Sequence, residues 1–413
     1  MADEWTSTTL GDVASFLSGG TPPKDNPAYW EGTTPWVSAK DMKRFRLEDT
    51  EDHLTDDGIL RGSKLVPAGT VFLLTRGMTL LNDIPISIAG RPMTFNQDVK
   101  ALLPKPGVSD AFLPYLLLGH KRHLQDLVDL SGHGTGRLNL DQLKALKVLL
   151  PPKAEQCAIA HAVSNIDAKI ELNRRMNTTL EAIARSFFKS WFVDFDPVHA
   201  KARGRNLELT KHLSDLFPGS FERSALGEVP TGWSVANLGD ILTLEYGKAL
   251  QEEKRRPGPF PVFGSNGQVG WHNEKLEHGP GIIVGRKGNT GTVTWVHTDF
   301  FAIDTTFFVV PKLKSDCLYF LYYSLRRHDL ASLGADSAVP GLNRNMAYMS
   351  KQLVPPPAVL DAFASLTKPF FERLYRADEQ SRTIAALRDT LLPKLVSGEL
   401  RIRDAERIVG RHV

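Results

Sequence analysis

The sequence predicts an α+β chain built twice over. Two β-rich heads are each followed by a long helix. The two helices pair antiparallel as a coiled-coil spacer, and a pseudo-two-fold internal repeat relates the halves. Three observations predict this. Short strings recur in the same order in both halves, a long helical pattern follows each of two proline pairs, and segments of short apolar runs precede those helices.

WTSTTLGD begins at Trp5 and WSVANLGD at Trp233, each giving Trp, four residues, then Leu-Gly-Asp. The spacing that carries Leu138-Asn139 to Leu342-Asn343 also carries Leu150-Pro151-Pro152 to Val354-Pro355-Pro356. Beyond the first proline pair, residues 153–194 hold no Gly or Pro. Val163, Ile166, Ile170, Leu180, Ala184, Phe187 and Trp191 recur there by threes and fours, the seam of a coiled coil. Asn173 and Asn177 fall on the same seam, where a buried Asn fixes register. The same spacing turns Ile166, Ile170, Leu180, Ile183, Phe187 and Trp191 into Phe370, Leu374, Ile384, Leu387, Leu391 and Leu395, all apolar. Pro369 and Pro393 predict kinks in this second helix. Residues 65–103 and 259–310 read as short strands joined by turns, with helices expected at 110–130 and 315–333. The expected segments are a head at 1–150, a helix at 151–197, a linker at 198–229, a head at 230–353, a helix at 354–400 and a tail at 401–413.

The chain has 413 residues, too many for one ordinary core, with 42% hydrophobic and 23% charged residues, as in a soluble globular protein. No run approaches the roughly 20 apolar residues of a membrane span, and the N-terminus lacks a secretory pattern. Cys157 and Cys317 lie far apart and offer no metal-ligand spacing. A reducing, cytoplasmic setting is therefore expected. The net charge of +3 decides nothing, because a nucleic-acid binder needs only localised basic residues.

Catalytic signatures are missing from the sequence. It contains no G-x-x-x-x-G-K-[ST] loop, no H-E-x-x-H, no G-x-S-x-G and no Asn-Pro-Pro-aromatic or Asp-Pro-Pro-aromatic tetrapeptide. GRKGNTG (285–291) lies between apparent strands and does not open a helix, which argues against a phosphate loop. The balance points to a binding protein, with no catalytic, cofactor-binding or metal residues assigned.

Longer strings resemble a known family. SFFKSWFVDFDPV (186–198), DLFPGSFERSALGEVPTGW (215–233) and ALRDTLLPKLVSGEL (386–400) are similar to the central, linker and C-terminal regions of type I restriction–modification specificity subunits. SGGTPPKDNPAYW (18–30) and PWVSAKDM (35–42) resemble one class of target-recognition domain. YGKALQ (246–251), FGSNGQVG (263–270) and GRKGNTGTV (285–293) resemble another.

The resemblance implies a non-catalytic subunit whose heads each read one half of a split double-stranded DNA site. It also implies a helical spacer that docks two modification methyltransferase subunits, with restriction motor-nuclease subunits joining them. S-adenosylmethionine, Mg and ATP then belong to those partners, and none is bound by this chain.

Arg and Lys suit guanine, and Asn and Gln suit adenine. The DNA-binding candidates are Lys24, Lys40, Arg76 and Asn96 in the first head. In the second they are Lys248, Ser265, Asn266, Arg286, Lys287 and Asn289, with Asn343 and Arg344 in a loop matching GTGRLNLD (134–141). Phe188, Trp191, Phe192 and Phe195 are assigned to a subunit-docking surface, with helix-pair core as the competing reading. The rivals are a specificity subunit of a different assembly, a self-sufficient DNA methyltransferase or nuclease with unrecognised motifs, and a purely structural scaffold.

Overall fold

Each repeated Leu-Gly-Asp string caps a single helical turn. Thr9 precedes the helix Leu10–Val13. Its hydroxyl accepts from the Asp12 N–H, and the Asp12 carboxylate accepts from the Thr9 N–H, both at 3.3 Å. Asn237 and Asp240 form the same capping box at Leu238–Ile241, where the Asn237 N–H donates to Asp240 at 3.0 Å. Hydrogen bonds from the Thr9 side chain and backbone hold the Asp12 carboxyl below its ordinary pKa. The glycine between Leu and Asp answers to close packing. A Cβ on Gly11 would lie 3.1 Å from the Lys144 Cβ, and one on Gly239 would lie 2.9 Å from the Tyr348 Cβ.

The computed structural model describes residues 5–130, 134–205, 210–334 and 341–409. Residues 206–209 of the expected linker, 339–340 of the second loop and the tail beyond 409 lie outside them. The chain divides into two units, Met1–Leu172 with Gln380–Val413, and Asn173–Glu379. Neither boundary falls at an expected segment border, because each cuts a long helix.

The first unit contains β1 (Thr6–Thr9), β2 (Ala14–Ser18), β3 (Thr34–Val37), β4 (Arg46–Leu47), β5 (Asp52–Leu54), β6 (Val71–Leu74), β7 (Arg76–Gly77), β8 (Ile86–Ala89), β9 (Thr94–Phe95), β10 (Val99–Pro104), β11 (Val128–Leu130), β12 (Gly136–Leu138) and β13 (Lys147–Leu150). They form a five-stranded sheet β2-β10-β6-β8-β4, three-stranded sheets β5-β3-β9 and β11-β12-β7, and a β1-β13 pair. Every residue of β6 is buried, which is why the central strand reads as an unbroken apolar run. Phe72, Phe95, Phe112 and Leu116 pack in this core, and so do Ile159 and Val163 of one long helix and Leu392 and Leu395 of the other.

The second unit contains β14 (Phe221–Ser224), β15 (Gly227–Pro230), β16 (Ser234–Asn237), β17 (Leu242–Tyr246), β18 (Phe260–Gly264), β19 (Gly267–His272), β20 (Gly281–Gly285), β21 (Val293–Val296), β22 (Phe301–Ala302), β23 (Thr306–Pro311) and β24 (Lys351–Val354). Here the sheets are β17-β23-β20-β21 and β19-β18-β22, with β14-β15 and β16-β24 pairs. The central strand β20 is again wholly buried. The stretch expected to be a linker is ordered where described. It supplies the helices Asp196–Ala202 and Lys211–Asp215 and the β14–β15 hairpin. The apolar residues Val198, Phe217 and Val229 are buried there, which a solvated linker does not require.

The long helices run Lys153–Phe192 and Pro357–Val396, 40 residues each. In the first unit Asp167 pairs with Arg388 at 2.6 Å and Glu155 with Arg401 at 3.1 Å, so one number rises as the other falls. The second unit follows the same sense. Asn177 donates to Asp378 at 2.6 Å, and Phe187 stacks on Phe370 at 6.5 Å. Asn173 is buried and donates to the Ala377 carbonyl at 3.4 Å. The second helix is assigned without a break through Pro369 and Pro393. Each proline forfeits one N–H bond, and buried neighbours on both sides, Phe363 with Phe371 and Leu391 with Leu395, hold the turns together. The expected helix at 110–130 divides into Leu113–Gly119 and Lys121–Asp126, and that at 315–333 shortens to Leu318–Arg327.

Candidate nucleic-acid interface

In the second unit most sequence candidates meet at one loop cluster. GRKGNTG is the connection between β20 and β21, closed by Gly285 N–H to Thr292 O at 2.8 Å and Gly291 N–H to Gly285 O at 2.8 Å. Ser265 and Asn266 form the two-residue tip of the β18–β19 hairpin. The Thr292 hydroxyl donates to the Ser265 carbonyl at 3.0 Å and ties the tip to GRKGNTG. Lys248 N–H donates to Ala302 O at 3.0 Å, and Arg286 N–H to Thr305 O at 2.9 Å, so both basic residues flank the segment 302–306 that leads into β23. Asn266, Lys287, Asn289 and Lys248 are exposed.

The centre of this cluster is a residue that the sequence candidates omit. Tyr246 ends β17 with 46% of its surface exposed. The Arg286 guanidinium lies 4.9 Å from its ring centre and that of Arg344 lies 4.8 Å away. Arg286 is steadied by donating to the Asp304 carbonyl at 2.9 Å, and its guanidinium also lies 5.9 Å from the Phe307 ring. Arg344 donates to the Leu244 carbonyl at 3.4 Å. Among the described residues neither arginine forms an ion pair. Two guanidinium groups held on one aromatic ring without a carboxylate are oriented donors for an anion or a guanine edge. The available signal was the exposed aromatic beside Gly247 in YGKALQ. Asn343 serves differently: its amide oxygen caps the helix Arg344–Met349, accepting from Asn345 and Met346 N–H at 3.0 and 3.2 Å. That cap commits its side-chain oxygen to the helix start, at the residue before Arg344.

The first-unit candidates are dispersed. Lys24 is exposed, 6.0 Å from the Trp36 ring centre. Lys40 is held 3.0 Å from both Asp52 and Glu51, whose hydrogen bonds raise its pKa, so its charge is already compensated. Asn96 corrects the sequence expectation. It is only 8% exposed, and its amide oxygen accepts from Asp98 and Val99 N–H at 3.1 and 3.0 Å. A buried side chain spent on its own turn does not read a base edge. Arg76 is exposed on β7, directly across from Arg137 on β12. Lys100 donates to Ser18 and to the Gln97 carbonyl at 3.0 and 3.1 Å, and burial lowers its pKa.

The aromatic set is also corrected. Phe188, Trp191 and Phe192 are buried inside the second unit and are not a docking surface. Trp191 meets Phe217 at 5.1 Å, Phe192 meets Phe320 and Phe363 at 5.0 Å, and Phe188 meets Tyr323 at 5.4 Å. Phe195, half-buried, packs edge-on to Trp233 at 5.8 Å. The extra apolar surface beyond a two-helix seam is covered by the chain's own head.

Glu155 and Gln156 carry structure. The Trp5 indole donates to Glu155 at 2.9 Å, and the buried Gln156 amide links Ser109 N–H with the Gly107 and Pro151 carbonyls. Among the described residues no helix is long and apolar enough to cross a membrane.

Comparison with known proteins bears on this arrangement. Residues 2–182 match the family described as the type I restriction modification DNA specificity domain. The specificity subunit of the type I restriction enzyme MjaIX from Methanocaldococcus jannaschii is 29% identical over 429 residues, covering 97% of this chain and 94% of the relative. That of HindI from Haemophilus influenzae is 26% identical over 331 residues, covering 64% and 71%. In fold, the S subunit of a type I system from M. genitalium superposes with a TM-score of 0.59 at 18% identity, covering 95% of this chain and 96% of that one. Residues 2–182 thus carry a type I restriction modification DNA specificity domain, and over nearly its whole length the chain is similar to type I restriction enzyme specificity subunits.

Proposed function

We propose that this chain reads a bipartite, non-palindromic site in double-stranded DNA, one half-site per head, and carries no catalytic centre of its own. The two long helices act as an antiparallel coiled-coil spacer, each about 60 Å long at 1.5 Å per residue. The repeated design presents two equivalent surfaces to two copies of a modification methyltransferase while the unlike heads read unlike sequences. Restriction motor subunits join that assembly. S-adenosylmethionine, Mg and ATP are the partners' ligands.

The observation that carries this reading is the Arg286–Tyr246–Arg344 cluster. Guanidinium groups without carboxylate partners, set among exposed Lys248, Lys287, Asn266 and Asn289, suit a polyanion with readable base edges.

The test is to assemble the chain with its methyltransferase and map the methylated adenines. Replacing residues 230–353 by the corresponding head of another specificity subunit is expected to change one half of the modified sequence. A change in both halves overturns independent reading. Arg286→Ala is expected to weaken specific binding by about 1–3 kcal/mol per lost base contact. Methyl transfer by the pure chain with no partner would favour the enzyme alternative.

A further inference from the structure

The segment that leaves the buried central strand is held alike in both units. In the first, Leu138 N–H donates to Thr75 O at 2.9 Å and Arg76 pairs with Arg137. In the second, Leu342 N–H donates to Arg286 O at 2.9 Å and Lys287 bridges Gly341. Arg76 and Lys287 therefore occupy equivalent places beside a Leu-Asn loop, and each loop carries one arginine. In the second unit it is Arg344, just after Leu342-Asn343. In the first it is Arg137, just before Leu138-Asn139.

Arg76 and Arg137 stand directly opposite on adjacent strands, both exposed, and neither forms an ion pair among the described residues. Like charges placed opposite each other destabilise a strand pair, and an anion between them reverses the sign. Asp129 is in register with Arg137 on the far strand β11 but forms no ion pair with it among the described residues. The nearest side chains in register or sequence beyond these, Leu130 and Met78, are exposed and apolar, so they add no competing charge.

We propose that Arg76 and Arg137 clamp a DNA backbone phosphate, with Arg76 in the place of Lys287 and Arg137 as the Leu-Asn loop arginine that Arg344 supplies in the second unit. This rests on the DNA-reading function proposed above. A phosphate fits better than a base. Two guanidinium forks offer only donors, which phosphate oxygens accept bidentately, and a negative charge between them offsets their like-charge repulsion where a neutral base edge does not.

The experiment uses the chain assembled with its methyltransferase partner and two duplex probes, one carrying the sequence the assembly methylates and one of mixed sequence lacking it. Affinity is followed from about 50 to 200 mM salt. Arg137→Gln is expected to weaken binding about tenfold on both probes. It should also flatten the salt dependence, so that the loss over that range is about 3.5-fold smaller per missing contact. Arg137→Lys should restore most of both. Unchanged affinity and slope, a loss confined to the cognate probe, or a loss with unchanged slope and a lowered melting temperature would each overturn the clamp. Arg286→Gln serves as the reference. If it weakens binding while Arg137→Gln does not, the clamp alone fails; if neither matters, the DNA-reading function fails with it.

Discussion

In the first unit the long-helix segments meet through Asp167 and Arg388, 2.6 Å apart and only 17% and 16% exposed. In the second unit the facing segments meet through Asn177 and Asp378 and through stacked Phe187 and Phe370, next to the Phe188–Trp191–Phe192 aromatic core. The start of each head is nevertheless built alike, with a capping box and a glycine against the helix that follows the Leu-Asn pair. A shared frame thus tolerates two different seams. The ion pair depends on both partners being present, whereas the aromatic cluster distributes its burial over many contacts.

The largest effects should fall on those seams. Arg388→Ala leaves the buried Asp167 carboxyl without its cation and with Asp389 nearby, and should cost about 3–5 kcal/mol in denaturant unfolding. The double variant Asp167→Leu with Arg388→Met should recover most of that loss. If the single and double variants unfold alike, the pair is not what holds this seam. Phe192→Ala should cost about 3–5 kcal/mol in the second unit, read as hydrogen exchange around 184–192.

The next effect concerns pH and is expected in both units. Burial lowers the pKa of His120 in the first unit and of His328 in the second, against opposing hydrogen bonds to Leu116 and Gln352. A base with a depressed folded pKa contributes stability that is complete above its unfolded value of 6.5 and is lost as pH falls through the folded value. Both units should therefore weaken between pH ~7 and ~5, and His120→Gln should flatten the response of the first alone. An unaltered pH profile in that variant would remove the histidine from the explanation.

Smaller still, Thr9→Ala should cost the first unit about 1 kcal/mol through its lost cap, and Asn237→Ala a similar amount in the second. A clear inequality in thermal unfolding would mean the two capping boxes are less alike in energy than in geometry. Last, Lys40→Ala should change stability by about 0–1 kcal/mol, since its pairs with Glu51 and Asp52 are solvent-screened, and should leave DNA affinity unchanged.

Periodicity and strings carried much of this architecture. Val163, Ile166, Ala184 and Trp191, which the helical periodicity picks out, are all buried, and GRKGNTG joins two strands as its flanking apolar runs suggest. What misled was residue type taken without surroundings. Asn96 is chemically suited to adenine, yet its turn consumes its oxygen. The aromatic run 188–192 looks like surplus surface until Phe217, Phe320 and Phe363 arrive from distant sequence to cover it. Tyr246 is not legible as a site residue because its importance lies in what stacks on it, Arg286 and Arg344, each far along the chain.

By itself the sequence determined the helices, the short-strand heads and the recurrence of the Leu-Gly-Asp string. These depend on neighbours three or four residues away or on short apolar runs bounded by turn residues, which local order records. Only tertiary structure decided which basic residues stay unneutralised and which aromatics are interior. Charge compensation and burial are set by side chains that chain topology brings together from remote positions, and no local pattern encodes those meetings.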